Sequence, residues 1–118
     1  QVMTALVLLL SSLAIASATL GIDAEQAIST STFTCLKSNS YSFYISRVYR
    51  SNGSLDNTGV QNIKNAWAAG LKKVYAYIFP CHSSSFPSAA DQVIAAINAV
   101  KNGGTKIEML WLDIEIYN

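Results

Sequence analysis

The sequence predicts an α/β fold of four parallel strands with connecting helices. Short apolar segments rich in β-branched and aromatic residues alternate with amphipathic segments. Their spacing repeats at about 25–30 residues, the length of a strand, a crossover helix and two loops. Acidic residues also fall at the ends of the first and last of these strands, where parallel α/β architectures gather functional groups.

The elements follow in order. Residues 19–23 form a brief first strand ending at Asp23, and a helix follows over about residues 26–36. Residues 42–49, with three aromatic and two β-branched side chains, form the second strand, closed by a turn at Ser51-Asn52-Gly53-Ser54. The second helix is capped by Asn57 or Thr58; Val60, Ile63, Trp67 and Leu71 keep a helical spacing, and Gly70 stops it. Residues 73–79 form the third strand, ended by Pro80, and residues 83–87 form a loop. Ser88-Ala89-Ala90-Asp91 opens the third helix; Val93, Ile94, Ile97 and Val100 form its apolar stripe, and Gly103-Gly104 ends it. The fourth strand spans residues 106–115 and carries Asp113 and Glu115. Two architectures satisfy this order: a small open sheet, or the first half of a β/α barrel. A whole barrel takes about 200–250 residues.

Residues 1–18 are read apart from the fold, as a signal peptide. They carry no charge, contain the apolar run Ala5-Leu6-Val7-Leu8-Leu9-Leu10, and end in Ala16-Ser17-Ala18, a small-residue cleavage pattern. The run is short for a bilayer span of about 20 residues, so secretion is expected over a membrane anchor. The chain opens on Gln1 and lacks a positive n-region, and it stops three residues beyond Glu115, where a loop and helix are expected. The expectation is a chain truncated at both ends, poorly folded and close to inactive alone.

Residues 19–118 form one domain that holds all the charged side chains, with a net charge of +1. No basic cluster exceeds Lys72-Lys73, which argues against nucleic acid as a partner. Cys35 and Cys81 either remain free or pair in an oxidising compartment, a bridge worth about 3–4 kcal/mol. Asn52-Gly53-Ser54 is a candidate glycosylation site. His82 is the only histidine and has no metal-site spacing around it, and no cofactor motif is present.

The chemistry lies in the acids. Along a strand, Asp113 and Glu115 share one face, roughly 7 Å apart. In a closed barrel, Asp23 would face them across the mouth. Crowded carboxylates repel, so one can hold its proton and act as an acid on a glycosidic bond. Tyr77, Phe79 and Trp111 offer flat rings that suit sugar faces; core packing is their competing use, most of all for Trp111, as it is for Tyr75.

Gly21-Ile22-Asp23, Tyr75-Ala76-Tyr77-Ile78-Phe79-Pro80 and Leu110-Trp111-Leu112-Asp113-Ile114-Glu115 resemble the glycoside hydrolase family 25 lysozymes. Phe33-Thr34-Cys35-Leu36-Lys37, Arg47-Val48-Tyr49 and Asp56-Asn57-Thr58-Gly59-Val60 resemble the secreted invertebrate and protist branch. The resemblance implies the N-terminal half of a modified, TIM-like β/α barrel that cleaves the β-1,4 bond between N-acetylmuramic acid and N-acetylglucosamine. It implies Glu115 as general acid, Asp113 as support for the charged transition state or the substrate's acetamido group, and Asp23 in the same cleft. Bacterial peptidoglycan is the expected partner and no cofactor is expected. The full-length protein is expected to be monomeric, secreted or held in a phagosomal or lysosomal lumen, with no stable membrane association. Ala24-Glu25-Gln26 departs from the family's usual residues after that Asp. A non-catalytic wall-sugar-binding relative is the alternative.

Overall fold

The computed structural model describes residues 18–115. Its order is β1 (Leu20–Asp23), α1 (Thr30–Ser38), β2 (Tyr41–Tyr49), α2 (Asn57–Ala68), β3 (Lys73–Ile78), α3 (Ala89–Asn102) and β4 (Leu110–Leu112). The expected signal peptide falls outside the described residues except for Ala18. Among the described residues no helix is long and apolar enough to cross a membrane.

All three strand pairs are parallel, and the strand order in space is β1-β2-β3-β4. Sequential order decides between the two architectures. Each right-handed crossover steps the same way, so all the helices fall on one face of the sheet, as in a barrel wall. A doubly wound sheet would reverse direction and cover both faces. Burial agrees. Tyr44, Ser46 and Val48 of β2 and Val74, Ala76 and Ile78 of β3 lie buried beneath the helices with Phe33, Ile63, Ala66, Ala96 and Val100. The alternate residues Phe43, Ile45, Arg47, Tyr75 and Tyr77 are half-buried on the opposite face.

Local chemistry explains where the boundaries differ from expectation. α1 begins four residues late because Ser29 caps it, its Oγ accepting from Thr32 N at 3.1 Å. Residues 26–28 are instead a loop fastened to α2. Asn62 Oδ1 accepts from Ile28 N at 2.8 Å, Asn62 Nδ2 donates to Gln26 O at 2.7 Å, and Asn65 Nδ2 donates to Ile28 O at 2.8 Å. α2 is capped by Asp56, not by Asn57 or Thr58. Gly70 ends the α2 turn with φ +79, as its position predicts. In α3 the buried face is Gln92, Ala96 and Val100, while Ile94 is 54% exposed, so the expected apolar stripe is rotated. Gln92 causes this: its amide donates to Cys81 O and Pro87 O and accepts from Cys81 N, which draws its face inward.

β4 is shorter than the sequence suggests. Its ladder with β3 runs from Glu108 N→Val74 O to Asp113 N→Ile78 O, both 3.0 Å, so Asp113 is the last residue tied to the sheet. Glu115 lies beyond it, outside any strand.

α2 presses closely on β2 where Gly59, in its first turn, meets Arg47. A Cβ on Gly59 would fall 1.6 Å from Arg47 O, and backbone cannot move aside as a flexible side chain can. Gly59→Ala is therefore expected to destabilise the fold by about 3 kcal/mol, the upper end for overpacking. Thermal unfolding checks this; an unchanged midpoint would show that the helix has room to shift.

Candidate functional site

Period-two alternation places Asp23, Ile45, Tyr77 and Trp111 on the uncovered face. Asp23 closes β1, Ile45 lies on β2, Tyr77 on β3, and Trp111, Leu112 and Asp113 lie at the end of β4. These six line one open hollow of about 240 Å³ at the carboxyl end of the sheet. Larger size does not mark the site. A hollow of about 360 Å³ between α2 and α3 is lined by residues such as Val60, Gln61 and Lys64 and holds no carboxylate.

The structure thus brings Asp23 and Asp113 together, from the first and last strands, with the rings of Tyr77 and Trp111. Trp111 is 50% exposed, so it is not used as core packing here. Phe79 is half-buried and its N–H bonds Tyr49 O at 3.0 Å, but it does not line the hollow. Tyr75 packs lower on the same face, its ring 6.2 Å from that of Phe43. Glu115 is exposed and does not line the hollow either. The strand geometry expected to align it with Asp113 ends at Asp113. Two residues of chain keep its Cα within about 7 Å of that of Asp113.

Charge in the hollow is uneven. Asp23 is exposed as a residue, yet partial burial of its carboxyl, followed by repulsion from Asp113 and Glu25, raises its proton affinity above the usual 3.8; Arg47 opposes this. Burial, then the nearby Asp23, push the Tyr77 hydroxyl up to about 12, so it remains a neutral hydrogen-bond group. Two carboxylates in mutual repulsion, one inclined to keep its proton, can donate a proton and stabilise positive charge at one bond. Among the described residues no cluster of His, Cys, Asp and Glu could hold a metal ion.

Sequence reasoning missed Arg47, Glu25 and Ile45. The signal was present for two of them: on β2, Ile45 and Arg47 share a face by simple alternation. The two cysteines are free thiols. Cys35 is exposed on α1, and Cys81 is half-buried after β3 with both its backbone groups held by Gln92. Of the two alternatives open to these cysteines, the structure holds the unpaired one, with Cys35 on α1 and Cys81 in the loop after β3. Asn52 is exposed on its turn, its Oδ1 accepting from Ser54 N at 3.1 Å and from Ser54 Oγ at 2.7 Å. His82 is exposed in the loop after β3.

These features define a class, the wall of a β/α barrel with an acidic, aromatic-lined cleft at its carboxyl end. Comparison with known proteins makes it particular. A family profile described as lysozyme-like protein 1 matches residues 14–118, and the chain belongs to that family. Lysozyme-like protein 5 of Caenorhabditis elegans is 59% identical over 98 residues, covering 83% of this chain and 46% of that protein. Two Dictyostelium discoideum proteins named Probable GH family 25 lysozyme 2 and 5 are 39% and 36% identical, covering 87% and 81% of this chain and 48% and 44% of their own. The family expected from the motifs is thus shown. The chain spans about half the length of these relatives. No solved structure matches it.

The repulsion between the two cleft acids is directly measurable. Asp113→Asn removes a like charge, so the Asp23 midpoint is expected to fall towards 3.8. Carboxyl-carbon NMR titration reads it. The same substitution should narrow the stability Asp23 lends below its ordinary midpoint, which is lost as pH rises through its folded one. A midpoint that does not fall would separate the two acids electrostatically.

Proposed function

We propose that this chain is the cleft-bearing N-terminal part of a lysozyme that hydrolyses the β-1,4 bond between N-acetylmuramic acid and N-acetylglucosamine in bacterial peptidoglycan. The observation that supports this most is that Asp23 and Asp113 share one hollow with Tyr77 and Trp111, although their strands lie at opposite edges of the sheet. Membership of a lysozyme-like family and likeness to proteins named GH family 25 lysozymes agree with it.

In this reading the rings of Tyr77 and Trp111 receive apolar sugar faces. Glu115 protonates the leaving glycosidic oxygen. Asp113 bears the transition state's developing positive charge or orients the 2-acetamido group. Asp23 lines the same cleft and tunes its charge. The exposed position of Glu115 suits a group that approaches the bond when substrate fills the hollow; catalytic contacts often tighten only in the complex. Turbidity clearing of bacterial walls by the full-length protein tests the activity. Glu115→Gln should lower the rate by 10²-fold or more, the scale of general-acid catalysis, while pull-down on insoluble peptidoglycan persists. Clearing by Glu115→Gln at the wild-type rate would reject that role. Wall binding by a wild-type protein that clears nothing would favour the non-catalytic alternative.

Secretion is part of the proposal, with Asn52 as its mark. The exposed turn leaves the Asn52 amide accessible to an enzyme that transfers a glycan from a lipid-linked pyrophosphate donor. Expressed through the secretory route of a eukaryotic cell, the full-length protein should appear in the medium. Peptide-N-glycosidase should increase its mobility, and Asn52→Gln should abolish that increase. A Gln variant whose shift equals the wild type's would place the glycan elsewhere.

A further inference from the structure

Arg47 is held in a manner that neither the core nor the capping of α2 requires. It projects from the uncovered face of β2, two residues beyond Ile45, and its register partner on β3 is Tyr77; both of these line the acidic hollow. Its guanidinium is fastened on two sides. Nε donates to Asp56 Oδ2 at 2.8 Å, and Nη1 donates to the Glu25 carboxylate. Asp56 is fully buried at the start of α2 and also accepts from Arg50 Nη2 at 3.0 Å. Glu25 sits two residues beyond Asp23. A side chain with several rotatable bonds is thus fixed between a helix start and the loop that follows the first cleft acid.

The groups that bear on Asp23 come from every side: Asp113 after β4, Glu25 in the loop after β1, Tyr77 from β3, Tyr44 from β2 beneath it, and Arg47. Arg47 is the positive one among them. We propose that Arg47 is the positioning residue of the cleft: clamped between Glu25 and Asp56, it presents one fixed positive charge that opposes the carboxylates crowding Asp23. This rests on reading the hollow as the active cleft.

The Asp56 side of the clamp outlasts the titration of Asp23. Burial alone would raise the Asp56 carboxyl, but hydrogen bonds from Arg50 and Arg47, with their charges, outweigh it and hold Asp56 below its ordinary 3.8. Asp23 lies above 3.8. As pH falls, Asp23 therefore takes its proton while Asp56 still holds Arg47. The stability Asp56 supplies is present above 3.8 and is lost only at more acidic pH. On that side the cation keeps its anchor while Asp23 takes its proton.

The experiment is a carboxyl-carbon NMR titration of Asp23 in the full-length protein, beside the pH profile of wall clearing. Loss of an opposing charge favours the protonated form. Arg47→Gln is therefore expected to raise the Asp23 midpoint by about 0.5–1 pH unit, below the range for direct contact because the site is open to water, and to move the acid limb of the clearing profile the same way. A purely structural role would lower stability and leave the midpoint where it was. Should Arg47→Gln fail to fold, Arg47→Lys decides. Lysine keeps the charge but lacks the two-sided fork, so the Asp23 midpoint should become more sensitive to salt than in the wild type. An unmoved midpoint in folded Arg47→Gln, or wild-type salt sensitivity in Arg47→Lys, overturns the proposal. A wild-type protein that clears no walls overturns the muramidase reading instead, and the titration still reports on Arg47.

Discussion

Neighbouring strands lie about 4.8 Å apart, so in a flat sheet β1 and β4 would stand about 14 Å from each other. Yet Asp23 from β1 and Asp113 from the end of β4 line a single small hollow and repel one another. The sheet must therefore curl, and the curl is what turns four strand ends into a site. Its causes are visible. Sequential parallel order puts every helix on the convex side. On the concave side Gly21 has no Cβ, and the Phe43 ring occupies the space one would take, about 2.0 Å from where it would be built. A larger residue at Gly21 would push β1 away from β2 and open the wall.

Curl alone leaves the loop after Asp23 free, and a second set of interactions removes that freedom. Asn62 is buried on α2, where an unpaired amide would cost about 1–3 kcal/mol. It is instead satisfied three times, by Ile28 N, Gln26 O and the Tyr44 hydroxyl, and Tyr44 itself donates to Ala24 O at 2.8 Å. Tyr44 Oη also lies 3.1 Å from Ser46 Oγ, and Ser46 Oγ donates to Gly59 O at 2.9 Å. One polar network thus joins β2, α2 and residues 24–28. These buried polar groups add little net stability, since each replaces a bond to water. Their effect is specificity: only one placement of the loop satisfies them all, and that placement sets Glu25 against Arg47.

The sequence made the strands and their order legible, because β-branched and aromatic runs interrupted by Gly and Pro have few alternative uses. It also marked Asp23 and Asp113, since acids ending apolar strands conflict with burial. It did not reveal the start of α1 at Thr30, because Gln26 and Ala27 are ordinary helix formers and only the tertiary bonds from Asn62 and Asn65 hold residues 26–28 open. The rotation of α3 was hidden for the same reason: Gln92 counts as polar in any periodicity, while in the fold its amide makes three hydrogen bonds. Arg47 escaped notice because a cation on a strand reads as solvated charge until its two carboxylate partners, remote along the chain, are seen around it. The Asp-x-Glu pair read too simply as a strand because period two holds only while the ladder lasts, and the ladder stops at Asp113.

That stopping point governs how strongly the cleft acids act on each other. Met109, Trp111, Leu112 and Ile114 are 48%, 50%, 56% and 75% exposed, so the β4 side of the hollow faces water. Water screens Asp113 and weakens its coupling to Asp23, since the interaction of two charges scales inversely with the local dielectric. Burial already leads the causes that raise Asp23, ahead of either neighbouring carboxylate, even with one side open. Anything that covers the exposed apolar edge withdraws that water. It strengthens the repulsion within the acid pair and the attraction to Arg47 together. The cleft is therefore most polarised when it is filled.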